Sequence, residues 1–286
     1  MIARLQRTFH HCPPLNRMHP SDPALLDRCR ERWHLVIGPS LTGGSESSVF
    51  ACSDANGTAL VLKLSMAAEC EAAALQLWRG RAAVRLRDWD AEVGALLLER
   101  IVPATPLPPD HEEDAMRIAA GILADLHAVP LPPDHPFPSQ PAAFDRFLRE
   151  ARANAAPGTA GLSLLPAIRP IARELWSSAR QHVLLHGDFI DKNLLLGPDG
   201  YVAIDPMPLI GDPCSDIGFF AAYHPPARRI ADRARALARR LNHDPERAAR
   251  WAAIYAVGEA CETWRQDSDE LQAWVQSGEA LRLLGV

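Results

Sequence analysis

The sequence predicts an α+β fold of two lobes, a small antiparallel-sheet lobe followed by a larger helical one, and three observations carry that expectation. Two β-type runs, SSVFACS and TALVLKL, flank DANG, and an Asn-Gly step between such runs is a strong hairpin signal. Four prolines fall in the nine residues PATPLPPDH that begin at Pro103. Proline fixes φ and donates no backbone hydrogen bond, so this stretch reads as the boundary between lobes. Beyond it, most of the chain reads as helices.

Taken in order, residues 1–30 read as an N-terminal arm. MIARLQRTFHHCPPLNRMHPSDP contains no apolar stretch of secretory-signal length. Its His10, His11 and Cys12 fit a Pro-flanked arm better than a metal site, because no second set of ligands accompanies them. Residues 31–102 form the expected N-lobe. Its first hairpin is followed by SMAAECEAAALQLW, a helix opened by Ser65, and by a strand pair, AVRLRDWD and GALLLERIV. Residues 103–286 form the expected C-lobe. Asp110 and Glu113 make a capping box for the helix HEEDAMRIAAGILADLHAV. A second Pro-rich loop, 130–141, precedes helices around 142–180, and Pro225–Leu241, Pro245–Trp264 and Asp269–Leu284 read as three more.

Composition narrows the class. The 286 residues carry a net charge of −5 with a pI near 6.1, so neither nucleic acid nor a membrane surface is an expected partner. No apolar run approaches membrane-spanning length. Pro226 to Arg250 holds eight Arg against three acids, and Trp251 to Val286 six acids against two Arg. That asymmetry is what two solvated helix faces look like. The six cysteines form no C-x-x-C pair, so they are expected to be reduced thiols in a cytoplasmic protein. The oligomeric state is left open.

The richest chemistry lies in LLHGDFIDKNLLLGPDGYVAIDP, Leu184 to Pro206. NLLL and YVAID are strand-like, and GPDG has Pro at the second turn position and Gly at the fourth, as a type I turn does. Folded as a hairpin, the stretch brings Asn193 and Asp205 to the same end, about 5 Å apart between α-carbons if they pair directly. An amide oxygen and a carboxylate suit a hard cation such as Mg²⁺. Asp188, five residues before Asn193, supplies a third oxygen where a base would be needed beside a metal-held phosphate.

HGDFIDKN resembles the H-G-D-x-x-x-x-N catalytic loop of the aminoglycoside phosphotransferases. AIDP resembles their metal-binding Asp, and GDPCSD their following G-x-P-x-x-D element. IDP followed by PLIGDP, together with WRGRAAVRLRDWD…ALLLER, is most similar to the hydroxyurea antibiotic resistance kinase and streptomycin 6-phosphotransferase branch. The resemblance implies a two-lobed protein-kinase-like fold and ATP-dependent phosphorylation with Mg²⁺, GTP being the other possible donor. It implies that Lys63 contacts the nucleotide phosphates, that Glu71 holds Lys63, and that Glu99 to Ile101 form the hinge whose backbone meets adenine. Asp188 takes the role of catalytic acid, and Asn193 and Asp205 the role of metal ligands. His186, Gly187 and Asp216 resemble structural supports of the loop. The glycine pattern departs from the protein-kinase G-x-G-x-x-G: LTGGSESSVF offers Gly43, Gly44 and Ser45 to the phosphates instead.

The expected partner is a small-molecule antibiotic. Ten residues separate Asp205 from Asp216 and no A-P-E follows, too short for the peptide-docking segment of a protein kinase. A catalytically inactive kinase-like binding protein is the rival, and the intact set of Lys63, Asp188, Asn193 and Asp205 speaks against it. A polycationic acceptor of the streptomycin type, or a cationic cyclic peptide such as capreomycin or viomycin, needs carboxylates. Asp191 in the loop and Glu259 and Glu262 on a late helix are the candidates, ahead of Asp267, Asp269 and Glu270. Hydroxyurea, small and neutral, is the third possible substrate.

Overall fold

A computed structural model describes residues 23–41, 47–108, 111–261 and 268–286. α1 (Pro23–Trp33) is followed by an antiparallel meander of β1 (Val36–Ser40), β2 (Ser47–Ser53) and β3 (Ala59–Ser65). The Asp54 carboxylate closes the turn between β2 and β3 by accepting from the Asn56 and Thr58 amides at 2.9 Å each. α2 (Ala68–Trp78) then leads to β4 (Leu86–Asp90) and β5 (Ala95–Glu99), and the sheet order is β1-β2-β3-β5-β4. Strand parity sorts the side chains. Leu60, Leu62 and Leu64 bury one face of β3 with Leu25 and Cys29 of α1, while Leu96 and Leu98 of the neighbouring β5 join Ala72 and Leu75 of α2 on the other. Lys63, in register with Leu96 on β5, lies on the α2 side at the centre of the sheet.

α1 runs across residue 31, where the N-lobe was expected to begin, because two of its apolar positions complete the outer core of the sheet. Ser65 belongs to β3 rather than to the start of α2, although its hydroxyl still accepts from the Ala67 amide at 3.1 Å. Asp110 lies outside the described residues, and His111 occupies the N-cap position of α3 without a side-chain bond.

The C-lobe begins with β6 (Thr105–Pro106), α3 (Glu112–His127), α4 (Gln140–Asn154) and α5 (Ala160–Ser177). β7 (Val183–Leu185), β8 (Leu194–Gly197), β9 (Gly200–Ala203) and β10 (Leu209–Gly211) follow, as two small sheets, β6-β8-β9 and β10-β7. α6 (Cys214–Tyr223), α7 (Ile230–Arg240), α8 (Pro245–Glu259), α9 (Ser268–Val275) and α10 (Gly278–Leu284) complete it. Trp251 to Glu259 are all buried, so α8 is the axle of this lobe. It approaches α6 closely enough that a Cβ on Gly218 would stand 2.6 Å from the Ala252 nitrogen. The helix expected over 269–284 is two, because Ser277 caps α10 by accepting from the Ala280 amide at 3.2 Å.

Further contacts bind the lobes besides the covalent link. The Val84 amide donates to Ala203 at 2.9 Å and the Ala203 amide donates to Ala82 at 2.8 Å. The Trp78 indole donates to the Leu126 carbonyl at 3.2 Å, fixing the end of α2 to α3. Cys29, Cys52, Cys214 and Cys261 are buried thiols, but Cys70 is disulfide-bonded, which corrects the expectation of six reduced thiols. No helix among the described residues is long and apolar enough to cross a membrane.

Candidate active site

β3 carries Lys63 into the cleft between the lobes almost fully buried. Its ammonium donates to Glu71 Oε1 at 2.6 Å and to Asp205 Oδ1 at 2.5 Å. Burial opposes the charge, yet Asp205 and Glu71 together hold Lys63 well above the ordinary lysine value. Burial pushes Asp205 up in turn, and the Lys63 ammonium more than offsets it, leaving the carboxyl below its usual range. Glu71→Ala removes one of two carboxylates from a buried ammonium. The expected loss is about 1–3 kcal/mol of stability for the unmet donor, less than for a fully orphaned charge because Asp205 remains. Chemical denaturation of both proteins would measure it.

Asp205 sits just past β9 with φ of 58°, a left-handed conformation for a non-glycine residue. The β8–β9 register pairs Leu194 with Ala203, and the Ile204 amide donates to Asn193 O at 2.8 Å. Asn193 therefore faces Ile204, and Asp205 lies one residue beyond the direct pairing the sequence led us to expect. The positive φ turns the chain there.

The loop after β7 is held from beneath. Asp216, at the start of α6, accepts from the His186 amide at 2.8 Å, the Gly187 amide at 3.0 Å and His127 Nε2 at 2.9 Å. Gly187 has φ of 78°, and a Cβ there would collide with the Met207 carbonyl, so only glycine fits. The Asp188 amide donates to His186 Nδ1 at 3.3 Å, which leaves the proton on Nε2 to reach Ile204 O at 3.1 Å. Burial pushes His186 below the ordinary imidazole value, in keeping with that neutral tautomer.

Burial raises the Asp216 carboxyl, but His127, His186 and the Gly187 amide lower it by more, leaving it below the usual carboxylate value. A depressed carboxyl contributes stability that is complete above that value and is lost as pH falls through the folded one. Asp216→Asn is therefore expected to melt lower than the parent at pH 7, with the gap shrinking below about pH 4. Paired thermal melts at pH 7 and pH 3 would show it.

Asp188 is buried, and its Oδ2 and carbonyl accept from Asn193 Nδ2 at 2.7 and 2.8 Å. With both amide hydrogens of Asn193 spent, its oxygen is the atom left for a cation. Asn193 and Asp205 thus present hard oxygen donors, and among the described residues no cluster of three or more His, Cys, Asp or Glu offers a closed metal site. Two protein oxygens fit Mg²⁺, which keeps waters and phosphate oxygens in its remaining positions.

The other expected residues are placed as follows. Glu99 ends β5 and its carboxylate accepts from the Arg85 amide at 2.8 Å. Ile101 follows, with no backbone bond from its amide among the described residues. Glu259 is fully buried at the end of α8, and Asp191 turns into the C-lobe toward His224. Gly43, Gly44, Ser45, Glu262, Trp264 and Asp267 lie outside the described residues, as do His10, His11 and Cys12. Reading the sequence missed His127 and His224. Each is a lone His near a helix C-terminus whose carboxylate partner lies 89 or 33 residues away, so no local pattern marks it.

Residues 32–268 match the family described as aminoglycoside/hydroxyurea antibiotic resistance kinase. The chain belongs to that family. Within it, a streptomycin 6-kinase of Streptomyces griseus is 34% identical over 210 residues, 68% of this chain and 65% of that one. A hydroxyurea phosphotransferase of Kitasatospora aureofaciens is 34% identical over 208 residues, 67% of this chain and 58% of its own. The chain thus spans less than two thirds of the length of these relatives. The fold is that of a choline/ethanolamine kinase family protein from Mesorhizobium loti, with TM-score 0.65 and 16% identity over 91% of this chain and 98% of the other. The antibiotic resistance kinase family therefore appears here with the two-lobed kinase-like fold expected from its loop motifs.

Proposed function

We propose that the protein is an ATP- and Mg²⁺-dependent O-phosphotransferase that inactivates an antibiotic of the streptomycin type by phosphorylating one hydroxyl. The observation that carries this reading is the convergence of Lys63 and Glu71 of the N-lobe on Asp205 of the C-lobe, in whose hairpin and preceding loop Asn193 and Asp188 are hydrogen-bonded to each other. Asp188 orients the acceptor hydroxyl and takes its proton as the new O–P bond forms. The bond from the γ-phosphorus to the bridging oxygen breaks, and ADP leaves. Lys63, positioned by Glu71, would meet the nucleotide phosphates, and Asn193 steadies the Asp188 carboxylate through Nδ2, keeping Oδ1 available for a cation. Asn193 and Asp205 would hold the Mg²⁺, whose charge offsets that of the phosphate oxygens. Because the transition state is loose, positioning and charge compensation supply most of the acceleration.

Hydroxyurea is the second reading, favoured by the similarity to a hydroxyurea phosphotransferase. A coupled ADP-release assay with MgATP against streptomycin, kanamycin, capreomycin, viomycin and hydroxyurea separates them. Turnover with streptomycin and a product heavier by one phosphate is the expected result. Turnover with hydroxyurea alone would move the protein to the second reading, and none with any compound would count against both.

A further inference from the structure

We propose that His224 and Arg233 form a buried brace that positions the catalytic loop through Asp191, and that Asp191 anchors this loop rather than touching the acceptor. The inference rests on the phosphotransferase reading for its kinetic consequence, but its geometry stands apart from it. Asp191 opens a single 3-10 turn, Asp191–Asn193, that ends on the proposed cation ligand. The Asn193 amide donates to Ile190 O at 2.9 Å and the Leu107 amide to Asp191 O at 3.3 Å, so this turn sets where the Asn193 side chain begins. The Asp191 carboxylate reaches His224 of the C-lobe.

The receiving group is His224, at the C-terminal end of α6. Its Nδ1 lies 2.8 and 2.7 Å from the two Asp191 oxygens, and its ring stacks on Phe220 at 5.3 Å between centroids. The side chain is fully buried, and Nε2 meets no partner among the described residues. A carboxylate only accepts, so Nδ1 carries the proton that joins the two. Leaving the other ring nitrogen unmet in the interior is unfavourable. The edge of the ring that is bonded is the one facing Asp191.

Arg233 of α7 fixes the backbone from which that ring projects. Its Nη1 donates to Ala221 O at 2.8 Å and His224 O at 2.6 Å, and its Nη2 to Pro225 O at 3.1 Å and Pro226 O at 3.2 Å. These include carbonyls of the last turn of α6, which have no partner within the helix. The guanidinium is fully buried and lies 3.3 Å from the Glu112 carboxylate at the start of α3. A hydrogen-bonded chain therefore runs from Arg233 of α7 through the end of α6 to the loop bearing Asp188 and Asn193, with the Glu112 carboxylate of α3 facing its far end as an ion pair. In protein sites of this kind, outer partners of a ligand-bearing loop are worth about 10–100-fold in activity.

The test compares the intact protein with His224→Leu, His224→Asn and Asp191→Ala, by amide hydrogen exchange over residues 189–194 without ligand and by steady-state kinetics with MgATP and streptomycin, or hydroxyurea where that is the compound turned over. Asn places an amide N–H near the position of Nδ1; Leu does not. In His224→Leu, exchange at the Asn193 amide is expected to rise and kcat to fall about 10–100-fold, with acceptor KM within about threefold. His224→Asn is expected to restore most of both, which a merely space-filling histidine would not require. If His224→Leu does not fold, Asp191→Ala gives the same two readings from the more exposed end of the pair. Unchanged exchange in His224→Leu overturns the brace. So does an Asp191→Ala protein whose acceptor KM rises tenfold or more at unchanged kcat, because that pattern belongs to a direct acceptor contact. An unmodified protein inactive with every acceptor would defeat the phosphotransferase reading, while exchange would still decide the brace.

Discussion

Asp188→Asn is expected to lower kcat by at least about 10²–10⁴-fold, the usual share of a positioned general base, while ATP affinity stays within a few-fold. The substitution keeps an oxygen for Asn193 Nδ2, 2.7 Å away in the parent, so the loop keeps its shape and only basicity is lost. Asp188→Ala removes the partner as well and is expected to fall at least as far. Titration calorimetry with ATP beside the ADP-release assay separates binding from chemistry. Full turnover in Asp188→Asn would sink the assignment of this residue as the base.

The second large effect is expected at Asp205. Its carboxylate is at once the proposed cation ligand and one of two counter-ions to Lys63. Asp205→Asn keeps the shape and leaves Lys63 paired with Glu71 alone, a neutral buried couple, so the protein is expected to fold. Turnover is expected to drop to background, because a neutral amide is a far weaker Mg²⁺ ligand and the charge that offsets the phosphates is lost. Activity at the level of the parent, at any Mg²⁺ concentration, would contradict the role given to Asp205. Asp205→Ala loses turnover too, but it also changes the packing around a residue held at positive φ, so Asn is the cleaner probe.

Much of this was legible in the residues. The hairpin over 194–203, the strand bearing Lys63 and the helix bearing Glu71 all carry local signals: short β-type apolar runs, Pro-Asp-Gly and Asn-Gly turns, an Ala-rich segment. Asp216 was marked by its place after the loop, and it supports His186 and Gly187. What escaped was long in range or lacked a local cue. Lys63 and Asp205 are 142 residues apart and His127 and Asp216 are 89 apart; only the assembled fold brings such pairs together. Asp191 illustrates the limit best. A carboxylate in this loop invites an acceptor reading, and nothing near it in sequence announces its 2.7 Å contact with a histidine at the end of α6. The break between α9 and α10 did have a signal, the Ser-Gly step at 277–278, which a strict capping rule would have taken as a stop and restart.

The paired hydrogen bonds between Ala203 and the strip Ala82–Val84 have a mechanical meaning. Two bodies joined by one tether can swing and twist in any direction, whereas each further place of attachment removes a freedom of rotation. The covalent connection through Ile101 to Pro103 is one such place, the Ala203 strip is a second and the Trp78–Leu126 bond a third. The lobes are thereby held as one frame. Ala203 lies two residues from Asp205, so the approach of Lys63 to that carboxylate is set by the frame rather than by its own ion pair alone.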